Sequence, residues 1–340
     1  MLVVDGSRGE GGGQVLRTSL SLAMVLGRPF RIEQIRAGRA RPGLMRQHLC
    51  AVEAARAVSS ASVEGAALGS RELTFVPRGV APGSYRFAVG TAGSACLVFQ
   101  TVAPALLTAG GPSRLVLEGG THNPKAPPFD FLARVFLPIL ARMGPEVRAV
   151  IERHGFYPVG GGRVAVDIAP APALAPIELL EPPAVTGRRA RALLSRLPRH
   201  IAERELAVVQ DDLGWDESEC VIEEVDSPGQ GNALHLEVTG AGSTELVTGF
   251  GERGVPAETV AMVAAAEMRD LLAAGVPVGS HLADQLLLPM ALAGGGAFLT
   301  LPLSAHARTA IEVIEAFGAA RFDVRPVGGG KVVVATAPAG

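Results

Sequence analysis

Three times along the chain a glycine-led turn opens into an apolar helix: GGGQVLRTSLSLAMVLGRPF from Gly11, TAGSACLVFQTVAPALLTAGGP from Thr91 and PVGSHLADQLLLPMALAGGGAF from Pro277. Each is followed by the same succession of a strand (RIEQIRA, RLVLEGG, FLTLPLS), a polar loop (GRARPG, THNPKAPP, AHART) and a second amphipathic helix. A unit of this kind cannot bury its apolar face alone, so recurrence means stacked copies around a shared core. The expected fold class is α/β, with three repeated β/α units in a pseudo-symmetric large domain.

The spacing is uneven. Taking Gly12, Gly93 and Gly279 as equivalent, the intervals are 81 and 186 residues, an excess of 105 that matches a small domain. Its entry is marked by APAPALAPIELLEPP from Ala169 to Pro183, whose five prolines read as a stiff linker. The large domain is therefore assigned to residues 1–183 and 276–340, and an inserted small α/β domain to 184–275, read as strand, helix, two or three strands and a final helix.

Charge separates the two parts. The whole chain carries −2, yet residues 184–275 hold 16 acidic and 8 basic side chains, which leaves 17 acidic and 23 basic in the remainder. Eight arginines against Glu10 and Glu33 lie between residues 8 and 46, a basic lobe that would attract a polyanion. The acidic insert is expected to be dispensable for nucleotide chemistry. With 15 aromatic residues, an extended base-stacking surface is excluded, so RNA contact would rest on arginine and backbone groups.

Lys125 and Lys331 are the two lysines, followed by Ala126 and Val332, so neither a Walker A loop nor the Lys-x-Asp-Gly signature of nucleic-acid ligases is encoded. Cys50, Cys96 and Cys220 form no metal or disulfide pattern and suit a reducing cytoplasm. No secretory leader is expected, and the charge-free run from Phe87 to Ser113 is broken by Gln100 and Pro104, so it reads as a buried helix with flanking loops. The formal G-x-G-x-x-G at Gly249, Gly251 and Gly254 lacks the βαβ context of a dinucleotide site.

Loops that feed helix N-termini attract anions. The three post-strand loops offer Arg36, Arg39 and Arg41, then Thr121, His122, Asn123 and Lys125, then Ser304, His306 and Arg308, all expected to face one cleft. The segment DGSRGEGGG from Asp5 to Gly13 suits close backbone approach to a phosphate. Of the seven histidines, His281 and His306 stand out by their place in the third repeat.

DGSRGEGGGQVLRTSLSLAM, RAGRARPGLMRQHL, GSACLVFQTVAPAL, RHGFYPVGGG, PRHIAERE, HLADQLLLPMALAGGG and SAHARTAIEVI together resemble the RNA 3'-terminal phosphate cyclases, from about residue 3 to residue 325. The resemblance implies a body similar to the enolpyruvyl transferases and to the C-terminal domain of translation initiation factor three. It also implies ATP-dependent conversion of an RNA 3'-phosphate end into a 2',3'-cyclic phosphodiester with a divalent cation, Mg2+ or Mn2+. Matched position by position, His306 is the adenylated nucleophile; Gln100 and the run His281, Leu282, Ala283, Asp284, Gln285 belong to the nucleotide pocket. Pro127 packs on the adenine, and Glu10 is both nucleotide- and metal-proximal. Arg17, Arg36, Arg39 and Gln47 lie near the RNA terminal phosphate. His281 stands where some members carry tyrosine, which bears on nucleotide preference. The expected partners are RNA and ATP, with no membrane and no oligomer indicated; the location is the cytoplasm. A non-catalytic RNA-binding factor in ribosome maturation is the alternative, and retention of His306, Asp284, Gln285 and Glu10 favours the enzyme.

Overall fold

The computed structural model describes residues 1–182 and 184–338. Pro183, the last residue of the proline-rich stretch, lies outside the described residues, as do Ala339 and Gly340.

The chain builds the same βαβαββ unit three times. In the first, β1 (Leu2–Asp5), α1 (Gln14–Leu26), β2 (Phe30–Glu33), α2 (Arg46–Ser59), β3 (Ser62–Glu64) and β4 (Leu73–Val76) form a sheet of order β1-β2-β4-β3. In the second, β5 (Ser84–Ala88), α3 (Ala95–Leu106) and β6 (Ser113–Gly119) lead into a broken helix. That helix consists of α4 (Phe129–Phe131), a π-helical turn at Leu132–Phe136 and α5 (Leu137–Ala141), and is followed by β7 (Glu146–Arg153) and β8 (Gly162–Ala169). The sheet order is again β5-β6-β8-β7. In both sheets the first pair is parallel and the others antiparallel, as expected when a helical crossover links the first two strands and short turns link the rest.

The third unit starts earlier than the sequence suggests. The proline-rich stretch buries Leu174, Ile177 and Leu179, and its Glu178–Leu179 forms β9, parallel to β14 (Gly296–Thr300). It is thus partly an edge strand and not simply a linker, because its apolar side chains complete a sheet of order β15-β16-β14-β9, with β15 (Ala320–Gly328) and β16 (Lys331–Pro338).

Between β9 and the first helix of this unit lie β10 (Val185–Ser195), α6 (His200–Leu213), β11 (Cys220–Glu224), β12 (Gly231–Gly240), β13 (Ser243–Phe250) and α7 (Ala257–Ala274). Their sheet, β11-β10-β12-β13, has a separate apolar cluster around Trp215, Leu234, Leu236 and Met268. The unit then resumes with α8 (Ser280–Ala293) and α9 (Ala305–Ala316). Gly249 and Gly251 sit at the end of an antiparallel strand, packed on Val260 and Asn232, so the G-x-G-x-x-G run has no βαβ setting.

Helices fill the centre of the body: α1 packs on α3 and α9, and α8 packs on α9. The charge-free run is explained by α3, eleven of whose twelve residues are buried. The N-caps are Gly13, Ser94 and Gly279, one residue later in the first two units than the glycines aligned by sequence. In that register Pro104 and Pro289 occupy the same place, ten residues after their caps, as do Gln100 and Gln285, six after theirs.

Phe30 of β2 is fully buried against Phe75 of its own sheet and Phe317 beyond α9, with ring centroids 5.9 and 5.7 Å away. It therefore ties the first unit to the third. Phe30→Ala should lower the unfolding free energy by about 3–5 kcal/mol, read by urea denaturation; a loss below about 1 kcal/mol would deny it that role.

The region 184–275 is also tied to the body by a buried carboxylate. Glu245 of β13 accepts the backbone N–H of Gly279 at 2.6 Å, directly at the start of α8. Burial raises its pKa to about 7, against the lowering effects of the Gly279 N–H and His281. A carboxyl whose folded pKa exceeds its unfolded value contributes stability in acid and loses it as pH climbs through the folded pKa. Glu245→Gln keeps an acceptor for Gly279 and should match the parent near pH 4, then exceed it at pH 8 by up to about 3 kcal/mol. Equal stability of the two proteins at pH 8 would contradict this.

Candidate active site

The sequence dictates where helix starts fall, and packing brings those of α1, α2, α8 and α9 to one open cavity of about 590 Å3. Its lining includes Glu10, Arg17, Arg36, Arg39, Gln47, Pro127, His281, Asp284, Gln285 and His306, ten of the residues singled out from the sequence. Gln100 lines an adjoining smaller cavity, where its amide N–H donates to the Gln285 carbonyl oxygen. Leu282 and Ala283 do not present side chains to the cavity: both are buried in the main core, so the HLADQ run faces the cavity through one side of its helix, by His281, Asp284 and Gln285.

His306 lies in the first turn of α9, and its side chain is 53% exposed to the cavity. Its Nδ1 is 2.7 Å from the Gln14 carbonyl oxygen, while the Gln14 amide N–H donates to the His306 backbone carbonyl at 3.2 Å. This two-point clasp fixes the ring. With its proton on Nδ1 donated to Gln14, the neutral imidazole keeps the Nε2 lone pair free, which is the form that can attack phosphorus.

Glu10 stands beside the ring, with Oε1 4.0 Å from His306 Nδ1 and only 8% of its side chain exposed. A glycine makes this possible. Gly9 has φ +60, and a Cβ there would come within 2.0 Å of Thr309 Oγ1, so a side chain would push the loop off α9. Thr309 Oγ1 instead accepts the Glu10 N–H at 3.0 Å and anchors the loop to the helix that carries His306.

The cations are held differently. Arg39 pairs with Glu10 Oε2 and donates to the Glu10 carbonyl at 2.7 Å. Arg36, at φ 54, donates to the carbonyls of Arg41 and Gly43 at 2.7 and 2.8 Å. Burial, then nearby Arg39, lowers its pKa, with Glu10 opposing. Arg17 has no carboxylate within ion-pairing distance among the described residues, and burial pulls its guanidinium down to about 10, with Glu10 opposing. An anion between these guanidinium groups would relieve that desolvation.

Asp284 supports the histidine from below. Ser304 Oγ donates to its Oδ1 at 2.7 Å and accepts the Ala307 N–H at 3.0 Å, capping α9. Burial raises the Asp284 pKa despite the Ser304 hydrogen bond. Gln47 has its carbonyl oxygen occupied by the Ser94 N–H at 3.1 Å, at the cap of α3. His281 is hydrogen-bonded through Nε2 to Glu267 at 3.1 Å, which raises its pKa.

Of the post-strand loops, Lys125 reaches the cavity, but Thr121, His122 and Asn123 are buried and structural. Arg308 is turned onto the Leu303 carbonyl at 2.5 Å. Arg41 and Ser304 do not line the cavity either, Ser304 being used as a helix cap.

Two polar groups escaped the sequence reading. Gln14 carries no motif of its own, and its relation to His306 spans 292 residues. His48 accepts the Met45 N–H through Nδ1 at 3.1 Å, and burial with Arg17 and Arg36 nearby lowers its pKa to about 3. It is therefore neutral and offers an Nε2–H donor at the cavity wall. Leu246, Thr248 and Phe250 of β13 also line the cavity. The cavity is therefore not confined to residues outside 184–275, as the sequence suggests, since β13 is part of its wall.

Comparison with known proteins gives a consistent result. The family model described as RNA 3'-terminal phosphate cyclase matches residues 8–324. A curated protein of Koribacter versatilis (strain Ellin345) named RNA 3'-terminal phosphate cyclase is 54% identical over 325 residues, covering 95% of this chain and 92% of its own length. One of the same name from Ectopseudomonas mendocina (strain ymp) is 50% identical over 308 residues, 90% of each chain. A match over nearly the whole length places the chain in the RNA 3'-terminal phosphate cyclase family.

Proposed function

We propose that this protein uses ATP to convert an RNA 3'-phosphate end into a 2',3'-cyclic phosphodiester, with His306 as the covalent nucleophile. The observation that carries the reading is the Gln14–His306 clasp, which supports a free Nε2 lone pair at the cavity beside three arginines. In the first step Nε2 bonds to the α-phosphorus of ATP, and the bond from that phosphorus to the bridging oxygen breaks, releasing pyrophosphate. An oxygen of the RNA 3'-phosphate then attacks the same phosphorus and breaks the P–N bond, giving RNA(3')pp(5')A and returning His306. Finally the vicinal 2'-oxygen attacks the 3'-phosphorus, loses its proton and expels AMP. Positioning supplies much of that last rate, because the hydroxyl already neighbours the activated phosphorus.

Arg17, Arg36 and Arg39 bind the terminal phosphate, with Gln47 and neutral His48 as further donors. Gln100, Pro127, His281, Asp284 and Gln285 surround the nucleotide. A divalent cation fits Glu10: Oε2 is taken by Arg39, while Oε1 receives only a 3.4 Å contact from the Gln14 N–H. One available carboxylate oxygen beside bound phosphates suits Mg2+ or Mn2+, which would neutralise phosphate charge. We treat residues 1–183 and 276–340 as the catalytic body and 184–275 as an insert whose acidic surface steers RNA toward the arginines. The cytoplasm is the proposed location, in keeping with three free cysteines and no helix among the described residues long and apolar enough to cross a membrane.

His306→Ala should abolish protein labelling from α-labelled ATP and cyclisation from ATP, yet still close a synthetic RNA(3')pp(5')A. Full labelling of His306→Ala, or closure lost with a folded protein, would refute the assignment. Gln14→Leu should slow labelling by about 100-fold through misplacement of the ring, while the closure of preactivated RNA falls much less; an unchanged labelling rate would remove the clasp from the mechanism.

A further inference from the structure

Behind the Phe131 wall of the cavity lies a second polar cluster that the nucleotide chemistry does not use. His122 from the loop after β6, Asp130 from α4 and His235 from β12 are all buried. His122 Nε2 is 2.9 Å and His235 Nε2 3.5 Å from the same oxygen, Asp130 Oδ2. One ligand-type atom from each of the three residues lies within 4.8 Å of the others. His235 Nε2 is completely enclosed and has no hydrogen-bond partner among the described residues. An orphaned nitrogen in the interior loses its hydration with nothing in return, so this one calls for a partner.

The surroundings are those of a metal site. The other ring nitrogen of each histidine rests on a threonine hydroxyl, His122 Nδ1 on Thr121 and His235 Nδ1 on Thr248, both at 2.9 Å. Such outer contacts orient an imidazole so that Nε2 points at an ion. Asp130 Oδ1 is held by Arg191 at 2.6 Å, and Arg191 is itself forked onto both oxygens of Glu223 at 2.8 Å.

We propose that His122, Asp130 and His235 bind a zinc ion that pins β12 of the inserted region to the second repeat. Two imidazoles and a carboxylate select zinc over magnesium or calcium, which prefer oxygen-only shells. Bonds of about 2.0–2.2 Å in a tetrahedron separate neighbouring donors by roughly 3.3–3.5 Å; His235 Nε2 already stands at 3.5 Å from Asp130 Oδ2, and His122 Nε2, hydrogen-bonded to that oxygen at 2.9 Å, has to open by about half an ångström to admit the ion. The three donors leave one tetrahedral place for water. This site is independent of the nucleotidylation reading, because none of its three ligands lines the active cavity.

The test is elemental analysis of the untagged full chain, produced in zinc-supplemented medium and passed through EDTA-containing buffer. One zinc per chain is expected in the parent and in His306→Ala, with about a 10-fold or greater loss in His235→Gln. If His235→Gln does not fold, Thr248→Val preserves side-chain shape. It should hold zinc about 10–100-fold more weakly, read as transfer to a colorimetric chelator. A parent protein without zinc, or a His235→Gln or Thr248→Val protein that holds zinc as well as the parent, overturns the proposal.

Discussion

Packing α1 against both α3 and α9 is the constraint on which the rest of the molecule depends. Each βαβαββ unit carries two amphipathic helices with one sheet to cover them, so the remaining apolar faces must be hidden against the other units. The solution is a central helical layer with the sheets outside it. Once α1 lies on α9, Gln14 and His306 meet at their N-terminal turns. The active cavity is a by-product of the same burial that stabilises the fold.

Pseudo-symmetry explains how one supersecondary unit yields different chemistry at equivalent places. Gln47, Asp130 and His306 each stand two residues after the cap of the second helix in their unit. In the first unit that position contacts the cap of α3, in the second it is buried beneath the inserted region, and in the third it is the proposed nucleophile. Likewise Gln100 and Gln285, equivalent in the first helices, close on each other as a hydrogen-bonded pair.

Much of this was legible in the sequence because it is local. The glycine-led helix starts, the excess between the second and third repeats, and the charge-free α3 all leave marks in composition and spacing. His306, Glu10 and the arginines were legible through strings similar to a known family. What stayed hidden depends on long-range packing. Gln14 is an ordinary first-turn residue until α9 arrives, and His122 reads as a loop ligand until β12 covers it. The proline-rich stretch looked like a spacer because two residues of edge strand leave no periodic pattern. The wall formed by β13 was equally invisible, since the acidic composition of 184–275 says nothing about which strand faces the cleft.

His306 Nε2 is the atom proposed to carry AMP, with Nδ1 committed to Gln14. Its most direct test is to stop the reaction with α-labelled ATP in alkali, digest the protein, and locate the adduct by mass spectrometry together with 31P–15N coupling in ring-labelled protein. The expected product is an acid-labile, alkali-stable phosphoramidate on His306, bonded through Nε2. An adduct on Nδ1, on another histidine, or as a hydroxylamine-sensitive acyl phosphate on Glu10 or Asp284 would contradict it.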